Sequence, residues 1–416
     1  MSYAVQSNII KGLTVEQYKA LREMCVCANN LYNVALYNIR QYYFAQEQFL
    51  TYESNYHECK TNENYGQLQA GVAQQILKVA DRSFKSFFNL IKKCKQGDYQ
   101  YQSVKLPHYR EKGGMFNLIM SLNAISIKNG YFQVPMSRKF KATHNNIKIE
   151  VPFPKRLEHK VIKEVRIIPI HNGRSFRVQY VYEVENVTVT VNPDNIMAID
   201  VGVENLATCV SNVETPFIID GRKLKSLNQH WNKRKAYLQS IADKQGHKHT
   251  HLIDAITDKR NRQVNDYIKK SARYIINNCI ENKIGTLIIG YSTDFKRYSN
   301  LGRHNNQSFT QIPFGALRSQ LRFLCSIYGI EYIEQNEDYT SKASYIDNDT
   351  IPTSTNETYT FSGRRIHRGL YKSKDGILIN ADVNGAFNIL RKCKQNLSFE
   401  RLCSGCLAHP QRIRLV

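Results

Sequence analysis

The sequence predicts a multidomain chain of mixed α+β and α/β class, and three observations lead there. A helical, aromatic-rich pattern fills the first hundred residues, a period-two pattern with Asn-Gly turns runs from about 100 to 190, and from Ile196 onward apolar strands alternate with helices. At 416 residues the chain has room for two or three cores, each large enough to be stable.

The helical region follows a short first strand. Thr14-Val15-Glu16-Gln17 has the form of a capping box, and the helical pattern that it opens continues to about Phe44. From Ala73 a second amphipathic helix is expected: Ile76, Leu77, Ala80, Phe84, Phe87, Phe88 and Ile91 recur at three- and four-residue steps, with Lys78, Arg82, Lys85 and Lys92 off the stripe. The Phe stripe reads as core, and the basic side as a phosphate contact. In the next region Asn129-Gly130 and Asn172-Gly173 each separate two period-two runs, the pattern of β-hairpins in an antiparallel barrel-like domain. Its loops carry Arg138, Lys139, Lys141, Lys155 and Arg156, which suit a nucleic-acid backbone.

The last region begins with Ile196 to Ile199, an apolar strand ending in the carboxylate of Asp200. Strands at 207–210 and 217–219 follow, then a helical stretch at 222–273, a strand at 285–289, a helix from about Pro313 to Tyr328, a strand at 330–333, and a terminal helix near Asp382. Three strands, helices, then strand, helix, strand and helix is the element order of an RNase H-like domain. Residues 222–273 carry 14 Lys or Arg against four Asp, a one-sided charge that favours contact with a guide RNA or heteroduplex over a plain solvated face.

Overall charge agrees. With 58 Lys and Arg against 35 Asp and Glu, the chain carries +23, and nucleic acid is the partner expected to offset that self-repulsion. No apolar run approaches the roughly 18 residues of a membrane span, and neither a secretory leader nor a paired cysteine framework is evident, so a cytoplasmic protein with reduced thiols and no membrane partner is expected.

Phosphodiester hydrolysis by two divalent ions needs hard oxygen ligands that converge from separate elements. Asp200 at a strand end is one candidate, its alternative role being a cap on the turn before Gly202; Asp382 is a second, its alternative being an ordinary N-cap. These alternatives are separated by a resemblance. MAIDVGVENLATCV (197–210), DYTSKAS (338–344), NADVNGAFNILRK (380–392) and QQILKVADRSFKSFFNLIKK (74–93) resemble, in order, motifs of the TnpB family of insertion-sequence proteins, RNA-guided endonucleases of RuvC type from which type V CRISPR effectors descend.

The resemblance implies a wedge-like β-barrel with its first strand in 1–12 and the remainder in 101–192, interrupted by a helical recognition lobe at 13–100. An RuvC nuclease follows at 193–338 and 379–396, split by a degenerate zinc-ribbon insert at 339–378 that binds target nucleic acid, with a tail at 397–416. It also implies a guide RNA, a double-stranded DNA target cut beside a short flanking motif, and two Mg²⁺ ions, with Mn²⁺ as a substitute. The simplest assembly is a monomeric ribonucleoprotein in the cytoplasm of a bacterium, associated with its nucleoid. Asp200 and Asp382 would then be two of three metal-binding carboxylates, and Gln74, at the start of the segment that carries Lys-x-Phe-Phe, would read the flanking bases.

The sequence departs from the family at two places. The family's second motif places Glu after the fourth core strand, where this chain has Gly290; Glu337, just past the next strand, is the expected replacement, with Glu334 and Asp338 as alternatives. The segment 340–379 contains no cysteine, so the two Cys-x-x-Cys pairs of a zinc ribbon are absent and Ala343 stands where a first ligand would be; Cys403, Cys406 and His409 form a half-site too small to make zinc expected. Arg364 and Arg368, close before Asp382, are expected near the scissile phosphate. Three functions remain open: a guided nuclease, an RNA-guided repressor whose nuclease has died, and a small type V CRISPR effector.

Overall fold

The structure, a computed structural model, describes residues 2–291, 307, 310–352, 359–394 and 404–415. It forms two compact units, residues 3–184 and 185–416. In the first, strand β1 (Ser2–Ile9) leads into α1 (Val15–Gln46), which opens on the expected capping box: Gln17 N–H donates to Thr14 Oγ1 at 3.2 Å and Thr14 N–H to Gln17 Oε1 at 2.9 Å. Two short helices follow that the sequence analysis passed over, α2 (Tyr52–Cys59) and α3 (Glu63–Gln67). The helix α4 (Ala70–Lys95) starts three residues earlier than its apolar stripe, because the Gln69 side chain accepts from Val72 N–H and sets the cap there. Ile76, Leu77, Ala80 and Phe84 are fully buried, as the stripe requires.

The strands β2 (Leu118–Ser121), β3 (Ser126–Lys128), β4 (Tyr131–Gln133), β5 (Glu150–Pro152), β6 (Ile162–Ile170) and β7 (Ser175–Val184) complete this unit, with α5 (Arg138–Thr143) between β4 and β5. Both Asn-Gly hairpins are present: Asn129 and Gly130 turn β3 into β4, and Asn172 and Gly173 turn β6 into β7, all four at positive φ. Hydrogen bonding divides the expected single barrel into two sheets, of order β1-β7-β6-β2 and β3-β4-β5. A period of two marks each strand but leaves open which strands share an edge. Since β1 and β2 lie in one sheet and α1 to α4 lie between them in sequence, the helices are an insertion into that sheet. One core joins them: Leu21, Met24 and Phe84 of the helices belong to the same buried cluster as Phe132, Val178 and Tyr180 of the strands.

The second unit contains the nuclease-like element order. Strands β8 (Asn192–Asp200), β9 (Asn205–Ser211) and β10 (Phe217–Asp220) form an antiparallel meander; α6 (Arg222–Lys244) and α7 (His251–Glu281) follow, then β11 (Ile284–Tyr291), α8 (Phe314–Tyr328) and β12 (Glu331–Asn336). β11 lies parallel to β8, and β12 parallel to β11. Three further strands, β13 (Arg364–His367), β14 (Leu370–Lys372) and β15 (Leu378–Asn380), make a small antiparallel sheet and lead directly into α9 (Ala381–Cys393). After α10 (Ser404–Ala408), β16 (Gln411–Ile413) adds a parallel edge to β10, giving the main sheet the order β12-β11-β8-β9-β10-β16. The strands β13, β14 and β16 are short and mostly polar, so no periodic apolar signal marks them. Among the described residues no helix is long and apolar enough to cross a membrane.

Main-chain-directed carboxylates secure the cysteine-free insert. Asp349 accepts from Ser344 N–H at 2.8 Å and from the amide and hydroxyl of Ser362, at 3.1 and 2.6 Å, while Asp347 accepts from Ser344 Oγ–H at 2.6 Å and Lys374 N–H at 2.9 Å. Cys403 of the Cys-x-x-Cys half-site lies outside the described residues. Truncating Asp349 strands three donors at once, so Asp349→Ala should loosen the insert by about 2 kcal/mol. Faster amide exchange at Ser344 and Ser362 is the expected result; unchanged exchange there would show that the carboxylate is not what holds the segment.

Candidate carboxylate centre and nucleic-acid surfaces

Asp200 closes a strand whose preceding residues, Ile196 to Ile199, are buried. Because β8, β11 and β12 are parallel, their C-terminal ends lie on one edge of the sheet, where open α/β sheets place their ligands. Ile199 is paired with Ile289, so the residue beside Asp200 on the next strand is Gly290. A Cβ added at Gly290 would stand 2.7 Å from Ile389 Cδ1 and 3.0 Å from Glu337 Oε2. The space that a side chain at position 290 would enter is therefore taken by the carboxylate of Glu337, which reaches back from just beyond β12.

The third carboxylate comes from α9. Asn380 caps that helix, its Oδ1 accepting from Asp382 N–H at 3.0 Å and Val383 N–H at 3.2 Å, so Asp382 is not the N-cap and its side chain is available. Asn205 Nδ2–H donates to Asp382 Oδ2 at 2.6 Å, and the Arg365 guanidinium stands 3.5 Å from Asp382 Oδ1. One turn on, a Cβ at Gly385 would lie 2.9 Å from Asp200 Oδ2; only glycine lets the helix approach that carboxylate so closely.

The helix also fixes Glu337. Asn384 and Asn388 are fully buried on one face of α9. Asn384 Nδ2–H donates to Ala343 O at 2.8 Å and its Oδ1 accepts from Tyr345 N–H at 2.9 Å; Asn388 Nδ2–H donates to Thr340 O at 2.9 Å and Ala343 O at 2.7 Å. Thr340 in turn donates to the Glu337 carbonyl from both its hydroxyl, at 2.7 Å, and its amide, at 3.1 Å. Two motifs remote in sequence are thus one hydrogen-bonded unit.

Electrostatics follow from this crowding. Burial first, then the neighbouring charges of Asp382 and Glu337, push the Asp200 carboxyl well above its ordinary value, with Arg365 opposing. Burial and then Asp338 push Glu337 up to about 7, with Arg318 opposing. Glu334 is committed elsewhere: Arg322 stands 2.8 Å away and the Tyr332 hydroxyl donates to it at 3.0 Å. Asp338 is exposed. Among the described residues no three acidic, His or Cys side chains form a ready-made coordination shell. Beside the carboxylates, however, Asn205 Oδ1 and, on the partner of Asp200 in β9, Thr208 Oγ1 are buried without hydrogen-bond partners. Carboxylate, amide and hydroxyl oxygens are the donor set of a hard divalent cation.

Among the expected nucleic-acid contacts, Lys78, Arg82 and Lys85 are exposed on α4; Lys78 lies over the Tyr52 ring, and Lys85 pairs with buried Asp81 at 2.9 Å. Gln74 is half-buried and bonds the Tyr65 hydroxyl. Arg138 and Lys139 are exposed in the first turn of α5. Arg364 is exposed on β13 opposite Lys372, whereas Arg368 stands 3.3 Å from Glu204, which Lys225 also holds at 2.9 Å. It is Arg365, between them in sequence, that meets Asp382; the alternation of side chains along β13 separates it from Arg364. On α6 and α7, Lys233, Arg234, Lys259, Arg262, Lys269 and Arg273 are exposed.

Comparison with known proteins agrees with this architecture. A family model described as a probable transposase (OrfB_IS605) matches residues 179–296, and one described as a Cas12f1-like TNB domain matches residues 314–389. The TnpB-like protein MJ0751 of Methanocaldococcus jannaschii is 20% identical over 216 residues, 50% of this chain and 74% of that protein. Among solved structures, Cas12f1 in its complex with sgRNA and target DNA is 17% identical with a TM-score of 0.59, covering 90% of this chain and 83% of that one. The mini-RNA-guided endonuclease CRISPR-Cas_phi3 is 10% identical with a TM-score of 0.50, covering 95% of this chain and 93% of that one. Motifs, element order and both family matches fall in one consistent arrangement, and over those residues the chain is similar to the TnpB family.

Proposed function

We propose that this protein is an RNA-guided DNA endonuclease whose carboxylate centre is Asp200, Glu337 and Asp382, with Glu337 in the role that position 290 has given up. The observation that carries the reading is the placement of Glu337 Oε2 within 3.0 Å of where a Cβ at Gly290 would be. A chain that had merely lost its third carboxylate would have no reason to fill that space with another.

Two Mg²⁺ ions bound there, with Mn²⁺ as a substitute, would activate water and stabilise the leaving oxygen of a phosphodiester. The chain's own contribution is positional. Asp200 is set by the end of β8, Asp382 by the first turn of α9, and Glu337 by the Thr340 and Asn388 hydrogen bonds, so the three arrive from separate elements and remain partly accessible to solvent. Arg365 places a cation beside Asp382, where it offsets part of the repulsion and is near enough to meet a phosphate. Support for RNA and DNA partners comes from the net charge of +23, the exposed cations of α4, α5, α6 and α7, and the likeness to a protein solved with sgRNA and target DNA. Gln74, Arg364 and Arg368 keep their proposed parts in flanking-motif readout and phosphate contact.

The test is a plasmid-cleavage assay with protein co-purified with RNA expressed from its own flanking DNA. Asp200→Ala, Glu337→Ala and Asp382→Ala should each reduce Mg²⁺-dependent cutting by at least about 10³-fold while guide and target binding stay near wild type, since the cations that hold nucleic acid are elsewhere. Glu334→Ala should cut normally. A wild type that binds its target and cuts under no divalent ion would establish the repressor reading instead.

The crowding also predicts a pH signature. Glu337's folded value, about 7, lies above its ordinary one, so the stability tied to its proton is complete at low pH and is lost as pH rises from its unfolded value through about 7. In metal-free protein, Glu337→Gln should therefore match wild type near about pH 4 and melt higher by about 7 °C near pH 8, with added Mg²⁺ narrowing the gap. Equal melting temperatures at both pH values would show that the carboxylate is not buried among its neighbours.

A further inference from the structure

We infer that Asn205 is a positioning residue of this centre: its amide nitrogen holds Asp382, and its amide oxygen accepts a hydrogen bond from the water that a bound divalent cation carries. The inference rests on the reading of Asp200, Glu337 and Asp382 as the residues that hold such a cation. Asn205 opens β9 five residues after Asp200 and is only 9% exposed. Its Nδ2–H donates to Asp382 Oδ2 at 2.6 Å, a charge-assisted bond that fixes one carboxylate oxygen and leaves the other toward Arg365.

That bond also determines the orientation of the amide. Turning it over would set Oδ1 against the carboxylate oxygen, acceptor against acceptor, so Oδ1 is held on the opposite side of the group. There it is buried and has no partner. A carbonyl oxygen so placed costs roughly 1–3 kcal/mol while unsatisfied, and natural folds retain such groups where something else supplies the donor. The neighbouring Thr208 hydroxyl, on the residue paired with Asp200, is also buried and unpartnered, so the polar lining extends along β9. Mg²⁺ characteristically keeps several of its waters when bound by carboxylates, and those waters are donors. A small amide beside a carboxylate cluster is suited to receive one; an apolar residue there would leave both Asp382 and the water unheld.

The experiment is isothermal titration of full-length protein with Mn²⁺, alongside melting of the metal-free protein. Wild type should bind Mn²⁺, Asp382→Ala should not, and Asn205→Ala should bind about tenfold more weakly at a temperature where the metal-free variant is still folded, its melting temperature being modestly lowered by loss of the bond to Asp382. A residue with only a structural role would lower the metal-free melting temperature and leave Mn²⁺ affinity of the folded variant unchanged. Asn205→Ser provides a second variant, small and polar yet too short to reach Asp382, and should also lose about tenfold. If both variants bind Mn²⁺ as wild type does while Asp382→Ala abolishes binding, the Asn205 inference is overturned and the carboxylate reading stands. If wild type itself binds no Mn²⁺, both fall.

Discussion

Like charges brought together out of water oppose folding, and the second unit is organised around that opposition. At the C-terminal edge of the sheet the Asp200 carboxyl is buried and meets the charges of Asp382 and Glu337, and burial makes that opposition stronger than it would be in solvent. They converge because two positions carry no side chain. Gly290 leaves room for Glu337, and Gly385 lets α9 lie against the Asp200 carboxylate. Arg365 and the Asn205 amide then supply positive charge and a hydrogen-bond donor at Asp382.

Holding such a cluster requires rigidity in the surrounding chain. Asn384 and Asn388, two buried amides on one face of α9, take up the carbonyls of Thr340 and Ala343. A helix that carries one carboxylate is thereby tied to the turn that follows another. Tyr345 stacks on Phe387 with ring centroids 4.5 Å apart, closing the same joint from its apolar side. These contacts explain why two of the motifs shared with the family are rich in small polar residues: each buried amide satisfies backbone groups that the tight turn leaves without partners. Ala343, where a zinc ligand would be expected, instead contributes its carbonyl to this clamp, and the carboxylates of Asp347 and Asp349 gather the rest of the insert.

Each unit has exposed basic helices of its own. In the first, the exposed cations of α4 and α5 project from elements whose opposite faces are core. In the second, α6 and α7 expose theirs while Trp231, between Lys235 and Arg260, and the Asn228 bond to Arg260 Nε–H at 2.7 Å join the two helices. In the second unit the exposed cations of α6 and α7 and the carboxylates Asp200, Glu337 and Asp382 thus stand on different elements.

Much was determined by sequence alone, because local rules record themselves locally. The capping box at Thr14, both Asn-Gly hairpins, the Phe stripe of α4 and the apolar strand that ends in Asp200 are all set by neighbouring residues and their periods. The absence of Glu at position 290 was equally legible, and Glu337 was the candidate replacement. What tertiary structure alone decided is which groups meet. The reach of Glu337 into the space beside Gly290, the engagement of Glu334 by Arg322, the choice of Arg365 over Arg364 and Arg368 beside Asp382, and the Asn205 bond to Asp382 are contacts between residues far apart in the chain. Periodicity assigns a side chain to a face, but only strand register and helix packing assign that face its neighbour, and those depend on the whole core at once.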